Sequence, residues 1–202
     1  RSKRERAEQM VGDLIWLGLG WDGPILHQSR QLASYAPAVE RLAQMDLLYP
    51  CSCSRARIQA ALNAPQEGTH HDVYPGTCKH RTMATRQSGD ALRLHLDRAL
   101  AHLGGTLPAY DESGPAHLGH HRIEAGRARD EIGDVVISRK GEGIVAYFLA
   151  SALDDAAQDI TEVVRGEDIF DFTPIQVILL TLLELPVPRY HHHRLIREEN
   201  GK

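Results

Sequence analysis

The sequence predicts an α/β fold, because in two places a strand, a turn and a helix follow one another. In 160–185, the β-branched run Ile160–Val164 breaks at a short charged turn and continues into a long apolar helix. Pro174 suits the first turn of that helix, where a residue without an N–H loses no hydrogen bond. The second place is the strand candidate Gly133–Ser138, which precedes a glycine-rich turn and an apolar helix over 144–158. Ligands of open α/β sheets gather at the carboxyl ends of such strands.

Arg165 stands at the carboxyl end of the first of these strands. A guanidinium can hold a carboxylate or a phosphate through two parallel hydrogen bonds, which a lysine cannot do. The alternative is that Arg165 caps the edge of the sheet through a salt bridge to Glu167 or Asp168. The local sequence leaves both interpretations open, because a motif is a hypothesis until its structural context is known.

The composition limits the class of protein. With 202 residues the chain can form one domain with an insertion and bury a sizeable core. Its net charge of −4 argues against a global basic surface, so any contact with RNA requires a local patch. No signal peptide is recognised and no apolar run approaches the roughly 20 residues that cross a bilayer, so a soluble, cytoplasmic protein without membrane contact is expected.

The N-terminal region predicts two helices. Apolar residues at roughly helical spacing predict the first helix over residues 1–19, with its end near 18–20. A second amphipathic helix is expected over 28–47. An α/β nucleotide fold opens with a strand and a glycine-rich turn at a helix N-terminus, so both are expected to lie before Arg1.

The three cysteines predict a metal site. Cys51 and Cys53 form a CxC pair and Cys78 follows later, which favours a reduced compartment and metal chemistry over a disulfide scaffold. Three thiolates can converge on zinc, which prefers a tetrahedral set of sulfur and nitrogen ligands, and a bound ion would order a loop that has few apolar residues. The alternative is three structural cysteines without an ion. The candidates for the fourth ligand are His80, Tyr74, His70 and His71.

Other histidines are interpreted as structural. Apolar and polar residues alternate over Ala91–Leu96, which predicts a strand. No motif with a recognisable chemical role is found in 98–129. The histidines at 117, 120 and 121 in that region are interpreted as solvated loop residues. Arg189–Ile196 is predicted to be a strand, in which His192 faces away from its two histidine neighbours, so the three cannot share one ion.

Tyr147 lies near the start of the predicted helix over 144–158. An aromatic hydroxyl at that position either lines a pocket or packs in the core with its hydroxyl satisfied. The local sequence favours the core.

Taken together, these segments resemble the catalytic domain of the class I glutamyl-tRNA synthetase family. The motifs cover most of the chain, and ALDDAAQDITEVVRGED is highly specific for the family. Within the family, the likeness is closer to a short paralogue, because Ala146 precedes Tyr147 where full-length enzymes usually carry threonine, and because of the YPGTC placement of Tyr74 and Cys78. The motifs that carry the resemblance are RSKRERAEQMVGDLIWLGLGWDG, YPCSCSRARI, YPGTCKH, GDVVISRKGEGIVAYFLASALDDAAQDITEVVRGEDIFDFTPIQ and PVPRYHHHRLI.

The resemblance implies a Rossmann-type parallel sheet of a class I aminoacyl-tRNA synthetase catalytic domain, with a zinc-binding insertion. Residues 1–50 would be the first part of the catalytic domain without its first strand, and 131–202 the second part, ending before the KMSKS-type loop. Residues 51–130 would form the zinc-binding insertion and a connective region. The HIGH-type ATP motif is expected before Arg1, so this stretch alone is expected to be inactive in adenylate formation.

The implied reaction has two steps. ATP, with Mg²⁺, and L-glutamate give glutamyl-adenylate, and the glutamyl group then passes to the queuosine base in the anticodon loop of tRNA(Asp). The resemblance assigns Tyr147 and Arg165 to glutamate, prefers Tyr74 to His80 as a zinc ligand, and leaves the catalytic residues unassigned. A monomer is expected. The ligands of the one structural Zn²⁺ would be Cys51, Cys53, Tyr74 and Cys78.

Two other functions compete with this one. A true glutamyl-tRNA synthetase would charge tRNA(Glu) and continue into a helical anticodon-binding domain. A non-catalytic remnant would bind zinc and RNA and would have lost the ATP motifs. Charging assays that compare tRNA(Glu) with queuosine-containing tRNA(Asp) separate the implied reaction from that of a true glutamyl-tRNA synthetase. The sequence on either side of the 202 residues tests whether the protein is a non-catalytic remnant.

Overall fold

The computed structural model describes residues 4–62, 73–140 and 144–196. The chain divides into two compact units, Arg1–Arg30 and Gln31–Lys202. The first unit contains helix α1 (Arg4–Trp16) and a 3₁₀ turn, Gln28–Arg30. Helix α1 ends at Trp16, slightly before the predicted end near 18–20, and in the turn that follows Gly18 adopts φ 76° and lets the N–H of Leu19 bond the carbonyl of Leu14 at 3.0 Å.

One sheet of the second unit is antiparallel and has three strands in the order β1-β2-β5. Its members are β1 (Leu48–Cys51), β2 (Ala91–Leu94) and β5 (Val136–Ser138). Strand β1 is buried along its whole length and runs directly into the cysteine pair. This sheet therefore carries the predicted metal site at its edge.

The second sheet has four strands in the order β4-β3-β7-β6. Strand β7 pairs in parallel with both β3 and β6, while β4 adds an antiparallel edge. The carboxyl ends of β3, β7 and β6 consequently lie at one edge of the sheet. The sheet is thus mixed, with a parallel part that positions Arg165. The four strands are β3 (Ala109–Glu112), β4 (Gly119–Arg122), β6 (Glu162–Gly166) and β7 (Arg189–His193).

The core is organised around helix α7. Residues Ile175, Val177, Ile178 and Leu179 of this helix are all completely buried, as expected for a helix that is apolar around most of its circumference. A 3₁₀ turn, Glu167–Phe172, joins β6 to α7, so the strand–turn–helix order predicted from the sequence is present. The helices of this unit are α2 (Ala36–Gln44), α3 (Arg55–Leu62), α4 (Leu96–Leu103), α5 (Ala125–Arg127, continued by a π turn), α6 (Tyr147–Ala157) and α7 (Thr173–Leu182).

The predicted second helix over 28–47 is wrong in extent. Two 3₁₀ turns precede α2, because Pro37 has no N–H for the carbonyl of the preceding turn and therefore suits only the start of a helix. At the other end, Asp46 adopts φ 57° and stops the helix before β1.

The strand predicted over 91–96 is also shorter, since His95 instead caps α4 by accepting from the backbone N–H of Arg98. Strand β6 is less buried than predicted, with 65% of Val164 exposed, because β6 lies at one edge of the four-stranded sheet, opposite β4.

The region 98–129 is more ordered than its composition suggests. It contains α4, β3, β4 and α5. The interpretation of its histidines as solvated loop residues is wrong for two of them, because His117 stacks on Phe170 at 3.7 Å and His121 stacks on Tyr110 at 5.2 Å between ring centres. His120 is exposed and pairs with Asp111 on the neighbouring strand.

Gly114 allows a close approach of β3 to β7. A Cβ at this position would lie 2.7 Å from Oε1 of Glu112 and 2.8 Å from the backbone nitrogen of His192, and closer still to the carbonyl of His192. We expect Gly114→Ala to lower the free energy of unfolding by about 2–3 kcal/mol, measured by urea denaturation. Gly105→Ala is the control, because a Cβ there meets nothing within 4 Å, and its effect should stay below about 0.5 kcal/mol. Equal stability of the two variants would contradict the packing argument.

Candidate functional site

Arg165 is the next-to-last residue of β6 and pairs with His192 of β7. Its Nε donates to Nε2 of His192 at 2.9 Å, and one terminal nitrogen donates to Oγ1 of Thr173 at 2.8 Å. The other terminal nitrogen donates to Oε1 of Gln176. None of these three acceptors is a carboxylate. In the described part of the chain, Arg165 therefore forms hydrogen bonds to neutral groups and does not form the alternative salt bridge to Glu167 or Asp168.

The acceptors around Arg165 form a buried polar floor, which we define as Thr173, Gln176 and His192. Their exposed fractions are 0%, 2% and 0%, respectively. Burying polar side chains is costly unless they are hydrogen-bonded, and here Arg165 supplies the donors. Thr173 and Gln176 were not identified as site residues from the sequence. The signal was present, since they are polar residues three positions apart, on one face of a helix whose other residues, apart from Thr181, are apolar.

The floor connects Arg165 to Tyr147. The amide nitrogen of Gln176 donates to Oγ of Ser151 at 2.6 Å, and Oγ of Ser151 donates to the carbonyl of Tyr147 at 2.8 Å. Tyr147 is the first residue of α6, and 47% of it is exposed, so the core position favoured by the local sequence is wrong. The structure therefore brings Arg165 and Tyr147 into one hydrogen-bonded region.

Two further groups belong to the electrostatics of this region. The guanidinium carbon of Arg165 lies 5.0 Å from the ring centre of Tyr190. Burial raises the pKa of Tyr190, Arg165 opposes the shift, and the charges of Asp155 and Tyr147 add to it. Burial also raises the pKa of Asp155, against the lowering effect of Arg165. The positive charge of Arg165 therefore acts on both the buried phenol of Tyr190 and the carboxylate of Asp155.

Arg165 retains binding capacity. A guanidinium has five N–H groups, and three of those of Arg165 are used by the floor. Two N–H groups therefore have no partner among the described residues. Two N–H groups in a fixed plane are the donor set that binds a carboxylate through parallel hydrogen bonds.

The three cysteines come together at the end of β1. Cys51, Cys53 and Cys78 are buried, and their sulfur atoms all lie within 4.8 Å of one another. The hydroxyl of Tyr74 lies 3.3 Å from Sγ of Cys51 and 3.6 Å from Sγ of Cys53. Sγ of Cys53 lies 3.6 Å from Sγ of Cys78. The four residues of the predicted metal site are thus assembled in three dimensions.

This cluster fits a zinc ion. Zinc–sulfur bonds of about 2.3 Å in a tetrahedron separate the sulfur atoms by roughly 3.8 Å, which is close to the observed spacing. Burial raises the pKa of the Cys78 thiol, but hydrogen bonds from the Ser52 backbone and from Tyr74 outweigh burial and lower the pKa to about 7. A thiol of this kind is readily converted to the thiolate that binds a metal.

The candidates for the fourth zinc ligand that the structure describes differ in their distance from the three cysteines. Tyr74 is inside the cluster, whereas His80 is exposed and its ring is not part of the group of metal-ligating side chains found among the described residues. His70 and His71 lie outside the described residues.

A residue that the sequence did not single out supports Tyr74. The guanidinium carbon of Arg93 lies 3.7 Å from the ring centre of Tyr74, and the same side chain donates to the carbonyl of Asp134 at 2.6 Å. The stack fixes the orientation of the Tyr74 ring against the three-stranded sheet.

None of the helices in the described part of the chain combines the length and the apolar character that crossing a membrane requires.

A family model and two similar proteins point to one family. Residues 1–202 match the family model described as tRNA synthetases class I (E and Q), catalytic domain. A glutamyl-Q tRNA(Asp) synthetase of Rhodobacter capsulatus is 46% identical over 209 residues, covering 100% of this chain and 73% of the relative. Another, of Nocardia farcinica, is 37% identical, covering 96% of this chain and 58% of the relative. The chain therefore spans only part of the length of these relatives.

The fold has solved counterparts. The crystal structure of a glutamate tRNA ligase from Elizabethkingia meningosepticum in complex with its amino acid matches with a TM-score of 0.71. The match covers 100% of this chain and 42% of that one at 19% identity, so it shows the fold alone. The predicted α/β fold of a class I catalytic domain is thus confirmed, and the chain belongs to the family of class I tRNA synthetases (E and Q), whose catalytic domain it matches.

Proposed function

We propose that the protein activates L-glutamate with ATP and Mg²⁺ and transfers the glutamyl group to queuosine in the anticodon loop of tRNA(Asp). The observation that carries the proposal is Arg165, which offers two N–H groups from a buried polar floor in the same region as Tyr147. The names of the two relatives support the choice of amino acid and of acceptor.

Arg165 and Tyr147 would hold glutamate. The guanidinium is held on three sides by neutral acceptors, so little reorganisation is needed when a carboxylate binds to its remaining N–H groups. The exposed ring of Tyr147 lies at the start of α6, where it can contact the bound amino acid. Together the two residues would hold a carboxylate of glutamate and so keep the amino acid in a defined position for its reaction with ATP.

Zinc has a structural role in this proposal. Cys51, Cys53, Tyr74 and Cys78 would hold one Zn²⁺, which as a structural ion ties β1 to the segment that carries Tyr74 and Cys78. The boundaries 51–130 for the zinc-binding insertion and connective region, with catalytic parts at 1–50 and 131–202, belong to the same proposal.

The acceptor is tested with three RNAs and the full-length protein. We expect radiolabelled glutamate to become attached to tRNA(Asp) that carries queuosine, and not to tRNA(Asp) with guanosine at that position or to tRNA(Glu). Removal of the 3′-terminal adenosine should leave labelling unchanged, since the acceptor would be the modified base.

Each other outcome identifies a competing function. Charging of tRNA(Glu) at its 3′ end would assign the protein to glutamyl-tRNA synthetases. Absence of glutamate-dependent ATP–pyrophosphate exchange would favour a non-catalytic protein that binds zinc and RNA.

A further inference from the structure

A buried carboxylate lies behind Arg165, on the far side of His192. Glu112 is the last residue of β3 and is 3% exposed, and His192 is fully buried. The carboxylate accepts from the N–H of Gly114 at 2.6 Å, from the N–H of His192 at 2.9 Å, and from Nδ1 of His192 at 2.6 Å. Because every partner is a donor, Glu112 is ionised. Burial raises its pKa, but the hydrogen bonds from His192 and Gly114 outweigh burial and lower it.

The contacts of His192 define which ring nitrogen carries the proton. Its Nδ1 donates to Glu112, and its Nε2 lies 2.9 Å from Nε of Arg165. An arginine N–H can only donate, so Nε2 must present a lone pair. Oγ1 of Thr173 lies 3.3 Å from Nε2 and itself accepts from Arg165. His192 is therefore neutral, with its proton on Nδ1.

The charged and titratable groups that face His192 are consistent with this state. Burial lowers the pKa of His192 and so do Arg165 and His117, while Glu112 opposes the shift. A neutral ring has two possible tautomers, and only a strong acceptor at Nδ1 selects one of them.

We infer that Glu112 is a positioning residue for glutamate activation: it holds His192 in the tautomer whose Nε2 anchors the guanidinium of Arg165. The inference rests on the proposed binding of glutamate by Arg165. In the other tautomer, an N–H of the ring would face the N–H of Arg165 Nε. The two donors would repel each other, and the guanidinium would leave the position in which its two remaining N–H groups are available for a carboxylate.

Glu112→Gln tests this with almost no change in shape. The N–H groups of Gly114 and His192 both donate to Oε1, so they keep the amide oxygen at that place and turn the amide nitrogen towards Nδ1. The amide nitrogen can donate to Nδ1 only when the ring proton is on Nε2, so we expect the substitution to reverse the tautomer. In the full-length protein we expect KM for L-glutamate in ATP–pyrophosphate exchange to rise roughly ten- to a hundredfold, with KM for ATP unchanged. The ¹⁵N chemical shifts of the His192 ring should change from the Nδ1–H to the Nε2–H pattern. Glu40→Gln, an exposed change on α2, is the matched control and should alter neither measurement.

Two substitutions of His192 keep the test decisive if Glu112→Gln does not fold. An asparagine side chain reaches the place of Nδ1, so His192→Asn keeps the bond to Glu112 and loses the acceptor for Arg165. A glutamine side chain reaches the place of Nε2, so His192→Gln keeps an acceptor for Arg165. We expect a large rise in KM for L-glutamate for His192→Asn and a clearly smaller one for His192→Gln.

Failure of this inference can be told apart from failure of the proposed function. If Arg165→Ala leaves KM for L-glutamate unchanged, the proposed glutamate site is wrong. If Arg165→Ala raises KM while Glu112→Gln does not, or if His192→Asn and His192→Gln behave alike, the role of Glu112 is wrong.

Discussion

Replacement of Arg165 by alanine is expected to lower kcat/KM for L-glutamate in the full-length protein by about 10²- to 10³-fold. The substitution removes the two N–H groups that would hold the carboxylate, and loss of one partner from a buried charged pair costs about 2–5 kcal/mol, or about tenfold per 1.4 kcal/mol. Glutamate-dependent ATP–pyrophosphate exchange measures this effect, and KM for ATP should stay unchanged.

Two variants separate a binding role from a structural one. Arg165→Lys keeps the charge but lacks the planar pair of donors, so it should recover only a small part of the activity. Arg189→Ala makes the same truncation at an exposed position of the neighbouring strand β7 and should behave like the unmodified protein. The thermal unfolding temperature of each variant shows whether the protein still folds when the polar floor has lost the donors of Arg165. An unchanged KM for L-glutamate in Arg165→Ala would remove the central inference about this site.

The second large effect is expected at the cysteine cluster. Cys51→Ser removes one of three thiolates, and structural zinc contributes apparent binding energies of about 10–16 kcal/mol in small domains. We expect the unmodified chain to bind one zinc ion and the variant to lose it, as measured by elemental analysis after dialysis. Limited proteolysis should then give new cuts within residues 51–80. Ser52→Ala, an exposed side chain between the two cysteines, is the control and should retain the ion. A full zinc content in Cys51→Ser would show that other ligands hold the metal.

The fourth ligand has its own pair of variants. Tyr74→Phe removes the hydroxyl that lies 3.3 Å from Sγ of Cys51, so zinc should dissociate more readily in competition with a chelator. His80→Ala should not change zinc affinity, because this residue is exposed and lies outside the cluster. The reverse result would assign the fourth position to His80.

The local sequence pattern was sufficient to predict features that depend on residues close together in the chain. The turn between β6 and α7, the place of Arg165 at a strand end and the CxC pair were all predicted from short segments, because strand, turn and helix propensities are local properties. Strand alternation also predicted correctly that His192 faces away from its neighbours, since successive side chains of a strand point to opposite faces.

Local pattern failed where long-range packing decides. The position of Tyr147 and the fold of 98–129 depend on contacts with α7 and β7. Strand β3 contributes Glu112 to the site only because it pairs with β7, about 80 residues away along the chain. Nothing in the sequence near residue 112 indicates that its carboxylate contacts a histidine.

The amino-acid sequence alone determined the family, the three cysteines of the predicted metal site and the arginine at the end of a strand, because each follows from residue type and short-range spacing. Only the tertiary structure decided which acceptors hold Arg165, that Tyr74 rather than His80 meets the cysteines, and that Glu112 contacts His192. The physical reason is that hydrogen bonds act over about 3 Å, and residues far apart in sequence come within that distance only when the sheets are assembled around α7.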